Sequence, residues 1–141
     1  MPEGGGSFFD THAHVTAPQF DADRDAVLAR AAAAGVDRLV EIGDSPEDWP
    51  RALALARAWP GSVRCALGLH PYYAERCTED FLARLESEAK RPEVAAIGEL
   101  GLDYARGLVP PDIQKAALRR LLTACRQWDK PVVIHCRGAY P

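Results

Sequence analysis

The sequence predicts an α/β fold built on a parallel sheet, and three observations support this prediction. Five short apolar runs alternate with four longer helical patterns along the 141 residues. Each pair of runs is separated by enough chain for the helical crossover that parallel neighbours require. Histidine-rich polar clusters fall where the strands of an α/β barrel would end. We therefore expect a partial (β/α)8 TIM-type barrel with about five parallel strands and four helices.

The predicted strands are short runs of apolar residues, of the kind found in buried strands. They cover residues 7–9, 38–42, 63–69, 94–97 and 132–134. The first predicted helix, 21–34, begins among acidic residues and stops at Gly35, which suits a left-handed C-cap. The second has Ser45 as its N-cap and Pro46 at its first position, and it ends near Trp59.

The third predicted helix begins at Thr78 and ends before Pro92, with Phe81, Leu82 and Leu85 on one face. The fourth covers about 111–128. No internal repeat or interior linker interrupts this pattern, so we expect a single truncated barrel domain over residues 1–141. Its glycine-rich N-terminus, residues 1–7, is expected to be flexible.

Composition restricts the partners and the compartment. The chain carries 17 basic and 20 acidic residues, so its net charge of -3 gives no general basic surface for nucleic acid. Four cysteines without a C-x-x-C pair favour free thiols and the cytoplasm. No apolar run approaches the roughly 20 residues of a membrane helix, so we expect no membrane contact.

His12 and His14 stand two residues apart at the end of the first predicted strand, with Asp10 before them. Residues at this spacing point to the same face of a strand, so the two imidazoles could hold one cation. Taken alone, the pair also fits two surface or hydrogen-bonded histidines.

Glu99 follows the fourth predicted strand and precedes Gly101, which puts a carboxylate at an expected strand end. It could bridge two metals, or it could be a capping or solvated glutamate. His135 and Arg137 follow the fifth strand and His70 the third. His70 suits a substrate contact or an ordinary loop hydrogen bond, and Arg137 suits a phosphate or a surface ion pair. All four histidines would then share the carboxyl end of the sheet, which favours a functional site.

Several motifs resemble those of the TatD family of metal-dependent deoxyribonucleases, which are amidohydrolase-like barrels. The motifs, in family order, are F-F-D-T-H-A-H, G-L-H-P, A-I-G-E-L-G-L-D-Y and P-V-V-I-H-C-R, with Gln114 opening the helix before the last. The resemblance covers nearly all of residues 8–140. It implies hydrolysis of phosphodiester bonds, in DNA or another substrate, by a water that two divalent ions (Zn, Mn or Mg) activate.

The resemblance also implies roles for individual residues. His12 and His14 would hold one metal, His135 the second, and Glu99 would bridge both as the catalytic carboxylate. The positions that match family motifs near the substrate are His70, Asp103, Tyr104 and Arg137. The family takes a further His and Asp from later strands, so we expect this chain to be the first half of a barrel and weakly active or inactive alone.

The sequence also allows two other functions. A half barrel exposes two strand edges and could be a noncatalytic module that self-associates to close its sheet. A metal hydrolase acting on amides or phosphomonoesters would share the H-x-H opening.

Overall fold

A five-stranded parallel sheet forms the centre of the structure, a computed structural model that describes residues 7–140. The strands lie in the order β1-β2-β3-β4-β5, so each strand pairs with its neighbours in sequence. Their bounds are β1 Phe8–Ala13, β2 Val36–Gly43, β3 Val63–Leu67, β4 Val94–Asp103 and β5 Val132–Arg137. This sequential parallel order is that of half a barrel, which confirms the predicted fold class.

Four α-helices connect the strands. They are α1 Arg24–Ala33, α2 Trp49–Ala58, α3 Glu79–Ala89 and α4 Pro111–Trp128. The Thr78 hydroxyl accepts a hydrogen bond from the Phe81 amide at 3.1 Å, so Thr78 is the N-cap of α3 and the predicted start of this helix is confirmed. Gly35 follows α1 with φ 92°, as its predicted C-cap role requires. In the part of the chain that the structure describes, none of the helices could span a membrane.

Several predicted boundaries are wrong. Helix α2 begins at Trp49, because residues 45–48 form a turn in which the Trp49 amide donates to the Ser45 carbonyl at 3.2 Å. Ser45 is therefore not its N-cap; its hydroxyl donates to the Asp48 carboxylate at 2.7 Å. Two unpredicted 3-10 segments, Pro18–Phe20 and Pro71–Arg76, follow β1 and β3. Both begin at a proline, whose fixed φ suits a first helical position.

The largest boundary error concerns β4. It continues through Glu99 to Asp103, so Glu99 lies inside a strand and not after one. The glycines at 98 and 101 allow close packing of β4 against its neighbours. An ideal Cβ on Gly98 would lie 2.7 Å from the Cβ of Val133, and one on Gly101 would collide with the His135 carbonyl oxygen.

The helices pack on one face of the sheet and build the main core. Strand residues such as Leu39, Leu67 and Ile97 meet helix residues such as Leu53 and Leu85 there. The other face carries a smaller cluster made only of strand residues: Val40, Ile42, Ala66 and Ala96, with Val133 packed against it. The sheet therefore has a helix-covered outer face and an inner face that continues towards the histidines.

Both edge strands of the half barrel expose large apolar side chains. On β1, Phe8 is 60% exposed and Phe9 50% exposed, and on β5 Ile134 is 53% exposed. In the described residues each of these strands pairs on one side only. Unpaired strand edges with exposed apolar residues invite further pairing.

The N-terminal segment is described only from Ser7, so residues 1–6 of the expected flexible stretch lie outside the described residues. The Ser7 hydroxyl donates to the Asp37 carboxylate at 2.7 Å, which ties the start of β1 to β2.

Gly101→Ala should destabilise the chain by about 3 kcal/mol, because overpacking against a fixed backbone atom adds to the strain of its φ of 154°. Gly107→Ala is the matched control, since Gly107 also has a positive φ but nothing within 4 Å of an added Cβ. It should cost only about 1 kcal/mol. Urea denaturation of both variants measures the difference, and equal losses would contradict the close packing at Gly101.

Candidate metal centre

Glu99 is aimed into the site by an irregularity in β4. Ile97 lies opposite Val132 and Leu100 opposite Ile134, so β4 uses three residues where β5 uses two. An extra residue of this kind bends a strand and turns its side chains, as bulges beside active sites do. The Glu99 side chain is buried and faces the histidines of β1 and β5.

The first group of donor atoms consists of His12, His14 and Glu99. The two Nε2 atoms lie 3.1 Å apart, which confirms that the two imidazoles face together. His12 Nε2 lies 3.3 Å from Glu99 Oε2. Metal–ligand bonds of about 2.0–2.1 Å at tetrahedral angles place donor atoms about 3.3 Å apart. The spacing of these donors therefore fits a single divalent ion.

The second group consists of His70, Glu99 and His135, and it shares Glu99 with the first. His135 Nδ1 lies 2.6 Å from Glu99 Oε1, while Glu99 Oε2 is the oxygen nearest His12. One carboxylate thus presents a different oxygen to each group. This is the arrangement expected of a residue that bridges two cations.

The other ring nitrogen of His135 faces a second carboxylate. Nε2 lies 3.0 Å from Asp103 Oδ2, so His135 stands between Asp103 and Glu99. A neutral imidazole has one N–H and cannot donate to both carboxylates. A cation on the Glu99 side would remove this conflict, leaving Nε2–H to donate to Asp103. Histidines that hold metals usually donate their other N–H to a carboxylate in this way.

Asp103 is buried and surrounded by donors. The Tyr72 hydroxyl donates to Oδ2 at 2.9 Å and the Ala105 amide to Oδ1 at 3.0 Å. Burial would raise the pKa of Asp103, but hydrogen bonds from His135, Tyr72 and two backbone amides outweigh it and lower the pKa below its usual value. Asp103 is therefore held as a carboxylate behind His135.

Gln114 fixes the backbone beneath this carboxylate. Its Oε1 accepts from the Asp103 amide at 2.7 Å, and its Nε2 donates to the carbonyls of Asp103 and Val109, each at 2.8 Å. The side chain is buried and its amide is satisfied on both ends. The motif position of Gln114 thus has a structural purpose that its spacing alone did not indicate.

His70 is buried beside His135, with ring centroids 4.4 Å apart. Its Nδ1 accepts a hydrogen bond from the Tyr72 amide at 3.2 Å, which places the proton of the neutral ring on Nε2. Burial, followed by the nearby charge of His135, lowers the pKa of His70 to about 4. His70 is thus a neutral ring with an N–H to donate.

Tyr104 and Arg137 lie side by side at the end of β4 and β5, where the Tyr104 amide donates to the Arg137 carbonyl at 2.9 Å. The Tyr104 hydroxyl is buried and has no hydrogen-bond partner among residues 7–140. The Arg137 guanidinium is exposed and forms no ion pair with the described residues.

Two residues near the site escaped the sequence analysis. Tyr72 reaches Asp103 from the 3-10 segment after β3; its place two residues past His70 was the available signal. Asp44 directly follows β2, so the rule of polar residues at strand ends would have found it. It lies between the histidine elements, and the His70 amide donates to its carbonyl at 2.9 Å.

The Asp44 side chain has a buried oxygen, Oδ1, without a hydrogen-bond partner among the described residues. Burial raises the pKa of Asp44 to about 6; the charge of His14 opposes this rise and that of Glu99 adds to it. The charges of both the β1 histidines and Glu99 thus affect the pKa of the Asp44 carboxyl group.

The fold and the donor groups define a class of protein, the α/β barrels that bring candidate metal ligands together at the carboxyl ends of their strands. The family model described as TatD related DNase matches residues 9–141, so the chain belongs to the TatD family.

Named relatives agree with this membership. The chain is 42% identical over 132 residues to a 3'-5' ssDNA/RNA exonuclease TatD of Cronobacter turicensis, covering 94% of this chain and 50% of the relative. It is 37% identical to the uncharacterized metal-dependent hydrolase YabD of Bacillus subtilis, covering 93% and 51%. The solved structure of YJJV, a TatD homolog from Escherichia coli, aligns with a TM-score of 0.78 and 36% identity, covering 93% and 51%. The chain spans about half the length of these relatives.

Asp44→Asn should change the pH dependence of stability. A raised pKa means that the folded chain binds this proton more tightly than the unfolded chain, so stability falls as pH rises from about 4 to about 6. Above pH 6 the free energy of unfolding of the variant should exceed that of wild type by about 1–2 kcal/mol, after discounting for the partial exposure of Asp44. Below pH 4 the two free energies should be equal.

His70 acts oppositely in the same range, since its lowered pKa costs stability as pH falls from 6.5 to 4. Both proteins share this effect, so it cancels in the difference. Urea denaturation with a chelator present gives the two curves. Parallel curves from pH 4 to 7 would contradict the raised pKa of Asp44.

Proposed function

We propose that this chain carries the first-half metal ligands of a hydrolase that cleaves phosphodiester bonds in single-stranded DNA or a related nucleic acid. The observation that carries the proposal is the Glu99 carboxylate, whose two oxygens serve two separate donor groups. Family membership and the names of the relatives support the substrate class. The whole barrel, about twice the length of this chain, is the proposed enzyme.

The ligand assignment follows the two groups except at His70, whose Nε2 carries a proton and is assigned to the substrate. His12 and His14 would hold one ion, His135 the other, and Glu99 both; Zn, Mn and Mg all accept imidazole or carboxylate ligands to some degree. When bound, two such ions lower the pKa of a water and neutralise charge that gathers on the phosphate oxygens. We propose Asp103 as a positioning residue, since it accepts from His135 on the side away from Glu99.

Substrate contacts would come from the residues beside the two groups. His70 is neutral with its proton on Nε2, so it can donate to a phosphate oxygen without adding charge. Arg137 offers an exposed guanidinium whose planar fork matches phosphate oxygens. Tyr104 carries a buried hydroxyl without a partner in the described chain, which a substrate atom could satisfy. We propose His70, Tyr104 and Arg137 as substrate contacts, and we propose that Asp103, the fourth predicted position, acts through His135.

The cytoplasm is the compartment that we propose. All four cysteines are free thiols, and three of them are buried, which suits a reducing compartment. Cell fractionation followed by thiol labelling is the check.

Titration of the chain with Mn²⁺ or Zn²⁺ should detect two bound ions. Glu99→Gln should lower the affinity for both ions by at least about tenfold, because it removes the shared carboxylate. Asp103→Asn should weaken only the His135 ion, by about 10–100-fold. Glu47→Gln is the control, since Glu47 is exposed and pairs with Arg76. Wild-type affinity in the Glu99 variant would refute the shared ligand.

A specific observation favours a second candidate function, the noncatalytic module that self-associates. The exposed apolar residues of β1 and β5 lie on the two strands that, in the described residues, pair on one side only. A second copy could pair with both edges and cover these side chains.

One sample of residues 1–141 separates the two candidates. Light scattering gives its mass, and 5'-labelled single-stranded DNA with Mn²⁺ reports its activity. We expect weak or no shortening from the chain alone. A discrete dimer without any nuclease activity would support the module, and vigorous shortening that Glu99→Gln abolishes would contradict the weak activity expected of half a barrel. Aryl phosphates and amides in the same assay test the remaining substrate classes.

A further inference from the structure

A buried carboxylate behind the site holds the segment that follows His14. Glu41 of β2 is 0% exposed. Its Oε2 accepts from the Val15 amide at 2.8 Å, and its Oε1 accepts from the Thr16 amide at 3.0 Å and the Thr16 hydroxyl at 2.6 Å. One side chain thus receives three hydrogen bonds from two consecutive residues.

Arg24 of α1 holds the same segment by its carbonyl groups. Its Nε donates to the Val15 carbonyl at 2.7 Å, and one Nη donates to the Thr16 carbonyl at 3.4 Å. Arg24 also pairs with Asp21, which orients the guanidinium. Glu41 therefore accepts hydrogen bonds from the N–H groups of Val15 and Thr16, and Arg24 donates to their C=O groups. Neither peptide unit can rotate without losing a charge-assisted hydrogen bond.

Core packing alone does not account for Glu41. The residues on either side of it, Val40 and Ile42, are buried and apolar. Burying a carboxylate costs free energy unless it is paired or well hydrogen-bonded, and within residues 7–140 it forms no salt bridge. A backbone clamp is what this costly residue provides.

The clamped segment adjoins a proposed metal ligand. Strand β1 ends at Ala13, which lies opposite Glu41 in the sheet, so His14 is the first residue beyond the strand. The His14 carbonyl accepts a hydrogen bond from the Ala17 amide at 3.1 Å. The next two residues, Val15 and Thr16, are the ones whose peptide groups Glu41 and Arg24 bind. His14 must keep its Nε2 about 3 Å from that of His12 for both to hold one ion.

We propose that Glu41 and Arg24 form a clamp that positions His14 for metal binding from the helix-covered side of the sheet. Glu41 is a positioning residue, because it touches neither donor group. The inference rests on the proposed metal site. It adds Glu41 and Arg24, which act on His14 through the backbone of Val15 and Thr16.

The test compares Glu41→Gln with Glu47→Gln. Glutamine keeps the shape of Glu41 but has one acceptor oxygen, and its NH2 group meets a backbone N–H. Co²⁺ alone is the probe, because its visible absorption reports the ligands around it. We expect Glu41→Gln to weaken Co²⁺ binding by about 10–100-fold and to change that absorption. Glu47→Gln, at an exposed ion pair, should match wild type.

Thr16→Val is the second variant, should Glu41→Gln fail to fold. It removes only the hydroxyl bond to Glu41, and it should weaken Co²⁺ binding by about threefold. Arg24→Lys keeps the charge but loses the fork, so a similar small loss is expected. A variant with lowered thermal stability but wild-type Co²⁺ affinity and absorption would overturn the proposal, since a merely structural clamp predicts that result.

NMR of the metal-free chain separates failure of the clamp from failure of the site. The His14 ring nitrogen signals and the Val15 and Thr16 amide signals should move or broaden in Glu41→Gln. If wild type binds no Co²⁺, the proposed metal function fails while these signals still decide the clamp. Unchanged His14 ring signals in Glu41→Gln would overturn it.

Discussion

The contact of Glu99 with the histidines of β1 and β5 is the interaction on which the site depends. In the described residues β1 and β5 do not pair with each other, and the Glu99 side chain of β4 contacts a histidine of each. The bulge in β4 and the glycines beside Glu99 bring this carboxylate 2.6 Å from His135 and 3.3 Å from His12. Without it, the two donor groups would share no residue.

Layers of hydrogen bonds support this centre from behind. His135 contacts the Asp103 carboxylate, which also accepts a hydrogen bond from the Tyr72 hydroxyl. Gln114 accepts a hydrogen bond from the Asp103 amide. Each of these contacts is buried or partly buried. Such chains orient a ligand because every member has its own geometry fixed by the next. At the β1 side of the site, Glu41 and Arg24 support the segment after His14 in the way that Asp103, Tyr72 and Gln114 support His135 at the β5 side.

Local signals in the sequence predicted most of the architecture. Helix α4 was predicted at its observed bounds, because proline at its start and a strong apolar periodicity mark it clearly. The parallel direction of the strands followed from their alternation with helices. The errors at Ser45 and Glu99 share a cause: a proline or glycine marks a local change of direction, but packing decides whether a turn or a bulge results.

The sequence by itself determined the family, the parallel sheet and the convergence of four histidines, because strand ends and motif order are local properties of the chain. Tertiary structure alone decided which nitrogen of each histidine faces which carboxylate, that Asp103 lies behind His135, and that Asp44, Tyr72 and Glu41 surround the site. These depend on contacts between residues far apart in the sequence, such as Val15 and Glu41, which are 26 positions apart. Hydrogen bonds of that range are set by the register of neighbouring strands, which no local pattern records.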